Sequence, residues 1–355
     1  MIHSALLQNY PIAANKEAVR NELVRIIVAM KDDASFAFAR DRYGPADDTT
    51  RNLLLTVMAS FRTSQHFGEI KDLLLHQTPH LAPAYSLSGQ LCDSMALAAT
   101  ILPGLLPLVN DSIMAPTILA ICRKLADSGM VPRNLLLPYQ DDLLRLSGND
   151  LIALAADPAN YIDREYDLER LLADIGSPAA NRMLQKWSIS NALYCQRDAV
   201  TYLLQNNQQI NPVALQALAK NDGTRKEIYD SLKAYHQQKL FPAYYRTQKY
   251  FAQSLVAAAS DDDPNSISYL GQNVVNFKGR SSRFFFFKVT FADDEHESSE
   301  LGCAGPYPLD NTELTTNDAT GTLYEVEDLD TTKLPVQKNA LIKQMEESFE
   351  WHQKK

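Results

Sequence analysis

His76-Gln77-Thr78-Pro79-His80 sets two histidines four residues apart, the spacing that stacks imidazoles on one helix face for a metal, with His66 ten residues upstream. Pro79 breaks the helix that would align the rings, and no glutamate completes a His-Glu-x-x-His pattern. The pair reads as two histidines at a helix end. Cys303 follows His296 closely, a pairing that could supply a thiolate nucleophile and its base. Yet Leu301-Gly302-Cys303-Ala304-Gly305 is an apolar strand end with no helix N-terminus to lower the thiol pKa, and His296 sits among acids.

Asp293, Asp294, Glu295, Glu297 and Glu300 offer oxygen ligands to calcium, but neither the alternating acids nor the central glycine of a helix–loop–helix calcium site is present. A solvated hairpin tip is expected there, and a linker at Asp261-Asp262-Asp263. Lys278-Gly279-Arg280-Ser281-Ser282-Arg283 lacks the Gly-x-x-x-x-Gly-Lys frame of a phosphate loop and reads as a basic hairpin turn. Neither a catalytic set, a bound metal nor a cofactor is expected.

Positioning elements follow from composition. The chain has 355 residues, 45% hydrophobic and 22% charged, enough for a large core and two domains. Residues 261–355 carry 18 Asp and Glu against 9 Lys and Arg, leaving 25 of each sign in 1–260, so the whole net charge of −9 lies behind Asp261-Asp262-Asp263-Pro264. Dispersed bases in an acidic chain argue against nucleic acid and anionic lipid surfaces. The most apolar stretch, Met95 to Val109, is interrupted by Pro103, Gly104 and Pro107 and reads as buried helix and turn, not a membrane span. Cys92, Cys122 and Cys195 sit in apolar helical contexts as small core residues, which suits a reducing compartment. Residues 1–10 lack the features of a secretory signal and read as the end of a helix that begins upstream. The chain is therefore expected to be the carboxy-terminal part of a longer protein, or cytoplasmic if Met1 is the true start.

Residues 1–260 repeat a helical stripe. Val19, Leu23, Ile26, Ile27 and Met30 are followed by Leu54, Val57, Met58 and Phe61, then by Ile118, Ile121, Cys122 and Leu125. Leu168, Leu171, Leu172 and Ile175 come next, then Ala180, Met183, Leu184 and Trp187. Asn15, Asp163, Ser177 and Asn211 are expected N-caps, Thr224-Arg225-Lys226-Glu227 a capping box, and Gly129 and Gly176 left-handed ends. Leu171-Leu172 then Pro178-Ala179-Ala180 echoes Leu203-Leu204 then Pro212-Val213-Ala214, offsets of 32 and 34 residues. This junction resembles a HEAT/armadillo-type repeat, best over 150–260, though without a regular Asp/Arg ladder. The resemblance implies an irregular α-solenoid over 1–260 whose concave face binds a protein or peptide; a non-repeating helical bundle is the other arrangement the pattern allows.

Beyond the break, residues 261–355 are expected to form a small acidic antiparallel α+β domain. Val274–Phe277 is a first strand. From Arg283, Phe285, Phe287, Val289 and Phe291 share one face, and Phe284, Phe286, Lys288 and Thr290 the other. Arg280, Arg283 and Lys288 read as gatekeepers around the phenylalanine run. Ser299–Ala304 and Thr322–Val326 are further strands, with Gly305-Pro306-Tyr307-Pro308 ending the first of them. A last helix bearing Leu341, Ile342, Met345 and Phe349 covers the sheet. Tyr235, Tyr244, Tyr245, Tyr250 and Phe251 form an aromatic patch before the break that suits a partner anchor or the seam for the acidic domain. The expected role is an interaction scaffold for a protein partner or for another domain of a longer chain; the alternative is an accessory region of an enzyme whose catalytic domain lies upstream of Met1.

Overall fold

The computed structural model describes residues 26, 29–80, 86–157, 165–260, 264–292, 297–310, 314–315, 319–325 and 333–353. Asn15, Asp163, the Asp261–Asp263 triplet, His296 and most of the Val19–Met30 stripe lie outside them. The chain is mainly helical with a small antiparallel sheet near its carboxy end, and it divides into two compact units, 1–206 and 207–355. The composition break at Asp261 falls inside the second unit. No helix among the described residues is long and apolar enough to cross a membrane.

In the first unit, side-chain caps start several helices. Asp32 accepts from Ser35 N ahead of α1 (Asp33–Tyr43), Asp47 from Thr50 N ahead of α2 (Asp48–Met58), and Thr63 from His66 N ahead of α3 (Ser64–His76). After α4 (Ser86–Cys92), α5 (Met95–Leu105) passes through Pro103 and closes in a 3-10 turn that contains Pro107. The stripe Ile118, Ile121, Cys122 and Leu125 of α6 (Ala115–Asp127) is buried as its spacing predicts. The short α7 (Arg133–Leu136) and long α8 (Gln140–Ala156) lead to α9 (Glu165–Ile175), whose Leu168, Leu171, Leu172 and Ile175 are fully buried against α6, α8, α10 (Pro178–Trp187) and α11 (Leu193–Gln205). Trp187 Nε1 donates to Ser147 Oγ at 2.6 Å, joining α10 to α8, so neither buried polar group is orphaned. Gly129 (φ +71°) and Gly176 (φ +56°) end α6 and α9 in the left-handed conformation expected of them.

In the second unit, Asn211 caps α12 (Pro212–Lys220), and Asn221 caps α13 (Asp222–Ala234) by accepting from Thr224 N. The capping box at Thr224 is a correction: α13 begins two residues earlier, and the Thr224 hydroxyl instead donates to Leu218 O at 2.9 Å. A third helix, α14 (Gln248–Ala257), leads into a meander ordered β1 (Ser266–Phe277), β2 (Arg280–Ala292), β3 (Glu297–Tyr307), β4 (Thr320–Glu325), and α15 (Leu334–Gln353) follows. Lys278 (φ +50°) and Gly279 (φ +77°) make the two-residue β1–β2 turn, both left-handed as the twist of a hairpin favours.

Two sequence expectations for the sheet change. β1 begins at Ser266, well before Val274. Pro306 does not stop β3, because the strand carries a bulge there: Phe285 pairs with Ala304 and Arg283 with Tyr307, leaving Gly305 and Pro306 opposite one residue of β2. A proline in a bulge removes no ladder hydrogen bond. The four-phenylalanine run is buried throughout, its faces alternating as expected. Phe285, Phe287 and Val289 join Ala252 and Val256 of α14, while Phe284, Phe286, Leu301 and Cys303 join Leu341, Ile342 and Met345 of α15. The expected cover, α15, is thus one of two.

Glycines let α14 sit close. A Cβ on Gly321 would lie 2.0 Å from Leu255 O, and one on Gly302 would lie 2.5 Å from Val256 Cγ1. Gly321→Ala should lower unfolding stability of the second unit by about 2–4 kcal/mol, since rigid backbone cannot yield as a side chain does. Gly68→Ala in α3, where a Cβ meets nothing within 4 Å, should stabilise by about 0.5–1 kcal/mol. Urea titration of both variants checks the contrast.

Candidate functional site

The histidines do not converge. His76 ends α3 and is exposed, as is His80, with no helix joining them. His66 is buried, its ring stacked on Phe36 at 4.0 Å and edge-on to Phe61 at 5.5 Å, with Nε2 3.5 Å from Asp33. Among the described residues no three His, Cys, Asp or Glu side chains gather as a metal set. Asp293, Asp294 and Glu295 lie outside those residues, while Glu297 opens β3 and Glu300 pairs with Val289 and Glu325 along the ladder.

Cys303 stands in mid-strand on the α15 face, opposite Phe286 and Thr322, with no exposed surface. Burial pushes its thiol well up, against a weaker opposing pull from Lys338. Lys338, itself nearly buried, donates to Leu270 O at 3.1 Å and lies over the Phe286 ring; burial lowers its pKa. A protonated thiol sealed under a helix is not a nucleophile at neutral pH.

A polar chain invisible in the sequence joins α6 to α9. Arg123 Nε reaches Asp167 at 2.5 Å and its Nη1 reaches Asp127 at 3.2 Å, while Arg170 Nε lies 3.4 Å from Asp127 and 3.3 Å from Asp174. Burial raises the carboxyls of Asp167 and Asp174 even though a guanidinium pulls each the other way. Three acids on two guanidiniums make an inter-helix tie rather than an acid–base pair.

The aromatic patch is where structure and surface meet. Tyr244, in a 3-10 turn, has 69% of its surface exposed, and its ring centroid lies 4.9 Å from Tyr245 and 5.4 Å from Tyr250; the latter two are 5.1 Å apart. Burial, then a hydrogen bond with Tyr244, push the Tyr250 hydroxyl up to about 12. Tyr235 is exposed at the end of α13, outside this trio. Phe251 is fully buried between Tyr229 and Phe241, because it lies on the inner side of α14 where Tyr250 lies on the outer. It belongs to the core and offers no docking surface.

Beneath the trio lies Arg225, 1% exposed. Its guanidinium stands 5.4 Å from the Tyr245 centroid and 5.1 Å from that of Tyr250. Nε donates to Ala219 O at 2.7 Å and Nη2 to Lys220 O at 2.9 Å, satisfying carbonyls at the end of α12. Nη1 donates to Tyr250 O at 2.9 Å and Ser254 Oγ at 3.3 Å, and lies 2.6 Å from Asp222 Oδ1 as an ion pair off the N–H direction. Asp222 Oδ2 in turn accepts from Gln253 of α14 at 3.0 Å. Lys249 carries the surface onward: its Nζ is 4.4 Å from the Tyr250 centroid and 5.6 Å from Tyr269 on β1.

Arg225→Leu should cost about 3–5 kcal/mol by leaving buried carbonyls without a donor and Asp222 without its countercharge, and Arg225→Lys should recover only part, since one ammonium cannot span the same acceptors. Both are measured by urea unfolding. The buried thiols add a pH dependence. Cys122 and Cys303 stay protonated in the fold, so their contribution is complete below the ordinary thiol pKa and is lost as pH rises above it. Urea midpoints should fall above about pH 8.5, each thiol removing up to about 1.4 kcal/mol per pH unit, and Cys303→Ala should make that fall shallower. Searches against protein-family models, curated proteins and solved structures find nothing that matches this chain.

Proposed function

We propose that this chain is a protein-interaction module, with no catalytic site of its own, that engages a protein or peptide partner through Tyr244, Tyr245 and Tyr250. The observation that carries this reading is a trio of rings at the surface, Tyr244 exposed and Tyr245 and Tyr250 half-buried, already held in place: Arg225 fixes the backbone beneath it and lies against two of its members. Tyrosine offers a large, rigid, amphipathic contact area, and a surface ordered before binding loses little entropy on contact. Lys249 edges this surface with positive charge. The helical part is read as an irregular HEAT/armadillo-like stack. The echo from Leu171-Leu172 to Leu203-Leu204 and the packing of α9, α10 and α11 on one another support that reading.

Tyr244→Ala removes the most exposed ring and touches none of the Arg225 bonds. It should weaken partner binding by about 2 kcal/mol, roughly thirtyfold, while unfolding stability falls by no more than about 1 kcal/mol, the size of its one hydrogen bond to Tyr250. Proteins recovered from native extract on the immobilised chain, quantified for the wild type against this variant, give the test. If no recovered protein depends on Tyr244, the reading fails.

A further inference from the structure

Among the described residues β1 is an edge strand, hydrogen-bonded to β2 on one side, and all twelve of its residues are uncharged. Natural edges of this length are usually blunted by lysine, proline or a covering element, because a free row of N–H and C=O groups accepts another strand. β4, the opposite edge, has six residues. Two side chains reach its carbonyls among the described residues: Gln253 of α14 donates to Ile267 O at 3.5 Å, and Lys338 takes the Leu270 carbonyl at a bulge between Tyr269 and Gly271. That bulge has a second effect. Tyr269 pairs with Phe287 and Val274 with Arg283, partners four positions apart on β2, so both side chains share the α14 face although they stand five positions apart on β1. Both are exposed, at 45% and 54%.

We propose that two copies of this chain associate by antiparallel pairing of their β1 edges about a two-fold axis at Gln272, with the bulged Leu270 of each copy skipped in the ladder, forming one continuous eight-stranded sheet. That register sets each Tyr269 beside Val274 of the second copy, an aromatic on a β-branched residue on one face, and sets Ser268 beside Val275 on the other. Without the bulge the same register would oppose residues from different faces. A second copy suits this edge because a chain of net charge −9 repels itself elsewhere, whereas β1 meets β1 with no acidic residue in either strand and with the Lys338 ammonium beside it already bonded to Leu270 O. The arrangement is isologous, the commonest closed symmetry, and leaves each Tyr244 outside the paired strands.

The test uses the full chain. Sedimentation at micromolar concentration should give twice the 39.7 kDa of one chain. Val274→Lys, which places a charge on the exposed side of the edge, should return the mass to one chain with the urea midpoint unchanged, while Tyr324→Lys on β4 should leave the dimer intact. Mixing single variants Tyr269→Cys and Val274→Cys under oxidation should give a cross-linked pair, because directly opposed residues lie within disulfide reach. Neither variant alone should cross-link. A chain that stays monomeric throughout overturns the proposal, including one that binds a different extended peptide at β1. So does a dimer that Val274→Lys leaves intact, or a mixture that fails to cross-link.

Discussion

A guanidinium without solvent must find its acceptors inside the protein, and Arg225 of α13 finds them on α12 and α14. Desolvating that charge is expensive, and only four hydrogen bonds and an adjacent carboxylate make the site tolerable. The acceptors are not incidental. Two are carbonyls at the end of α12, one belongs to Tyr250, and the carboxylate is in the first turn of α13. Helix ends that would otherwise bury unpaired groups are satisfied by one side chain, so the angle between α12, α13 and α14 is fixed by electrostatics as well as by packing.

Helix α14 then carries two duties. Its inner side, through Ala252 and Val256, closes one face of the sheet, coming so near that β3 and β4 keep glycine at positions 302 and 321. Its first turn bears Lys249 and Tyr250 outward, beside Tyr244 and Tyr245. A second bridge holds the same end: Arg283 of β2 donates to Gln248 Oε1 at 2.9 Å, and Gln248 donates to Pro308 O at 3.0 Å. The tyrosine surface and the sheet core are therefore two sides of one clamped helix.

Local patterns were legible in the sequence where both halves of an interaction lie within a few residues. The alternation of Phe284 to Phe287, the caps at Ser177 and Asn211, and the left-handed Gly129 and Gly176 all depend on near neighbours. Arg225 looked like one member of a capping box because its acceptors at Tyr250 and Ser254 are 25 and 29 residues away. The tie from Arg123 to Asp167 spans 44 residues. Pro306 misled because a rule about ladders ignores bulges, and Phe251 because a run of aromatics does not show which side of α14 each ring takes until the sheet is in place. Of the candidate surface, the tyrosines were visible as a composition, and the cation beneath them was not.

The claim on which the account stands is that Arg225 holds α14 and that α14 holds the sheet. Native-state hydrogen exchange on Arg225→Lys, resolved by segment, measures this directly. The account predicts that amides of α14 and of the β2–β3 ladder lose protection together and by the same amount, because the helix cannot loosen without uncovering Phe285, Phe287 and Val289. Loss confined to α12 and α13, with α14 and the β2–β3 ladder as protected as in the wild type, would contradict it.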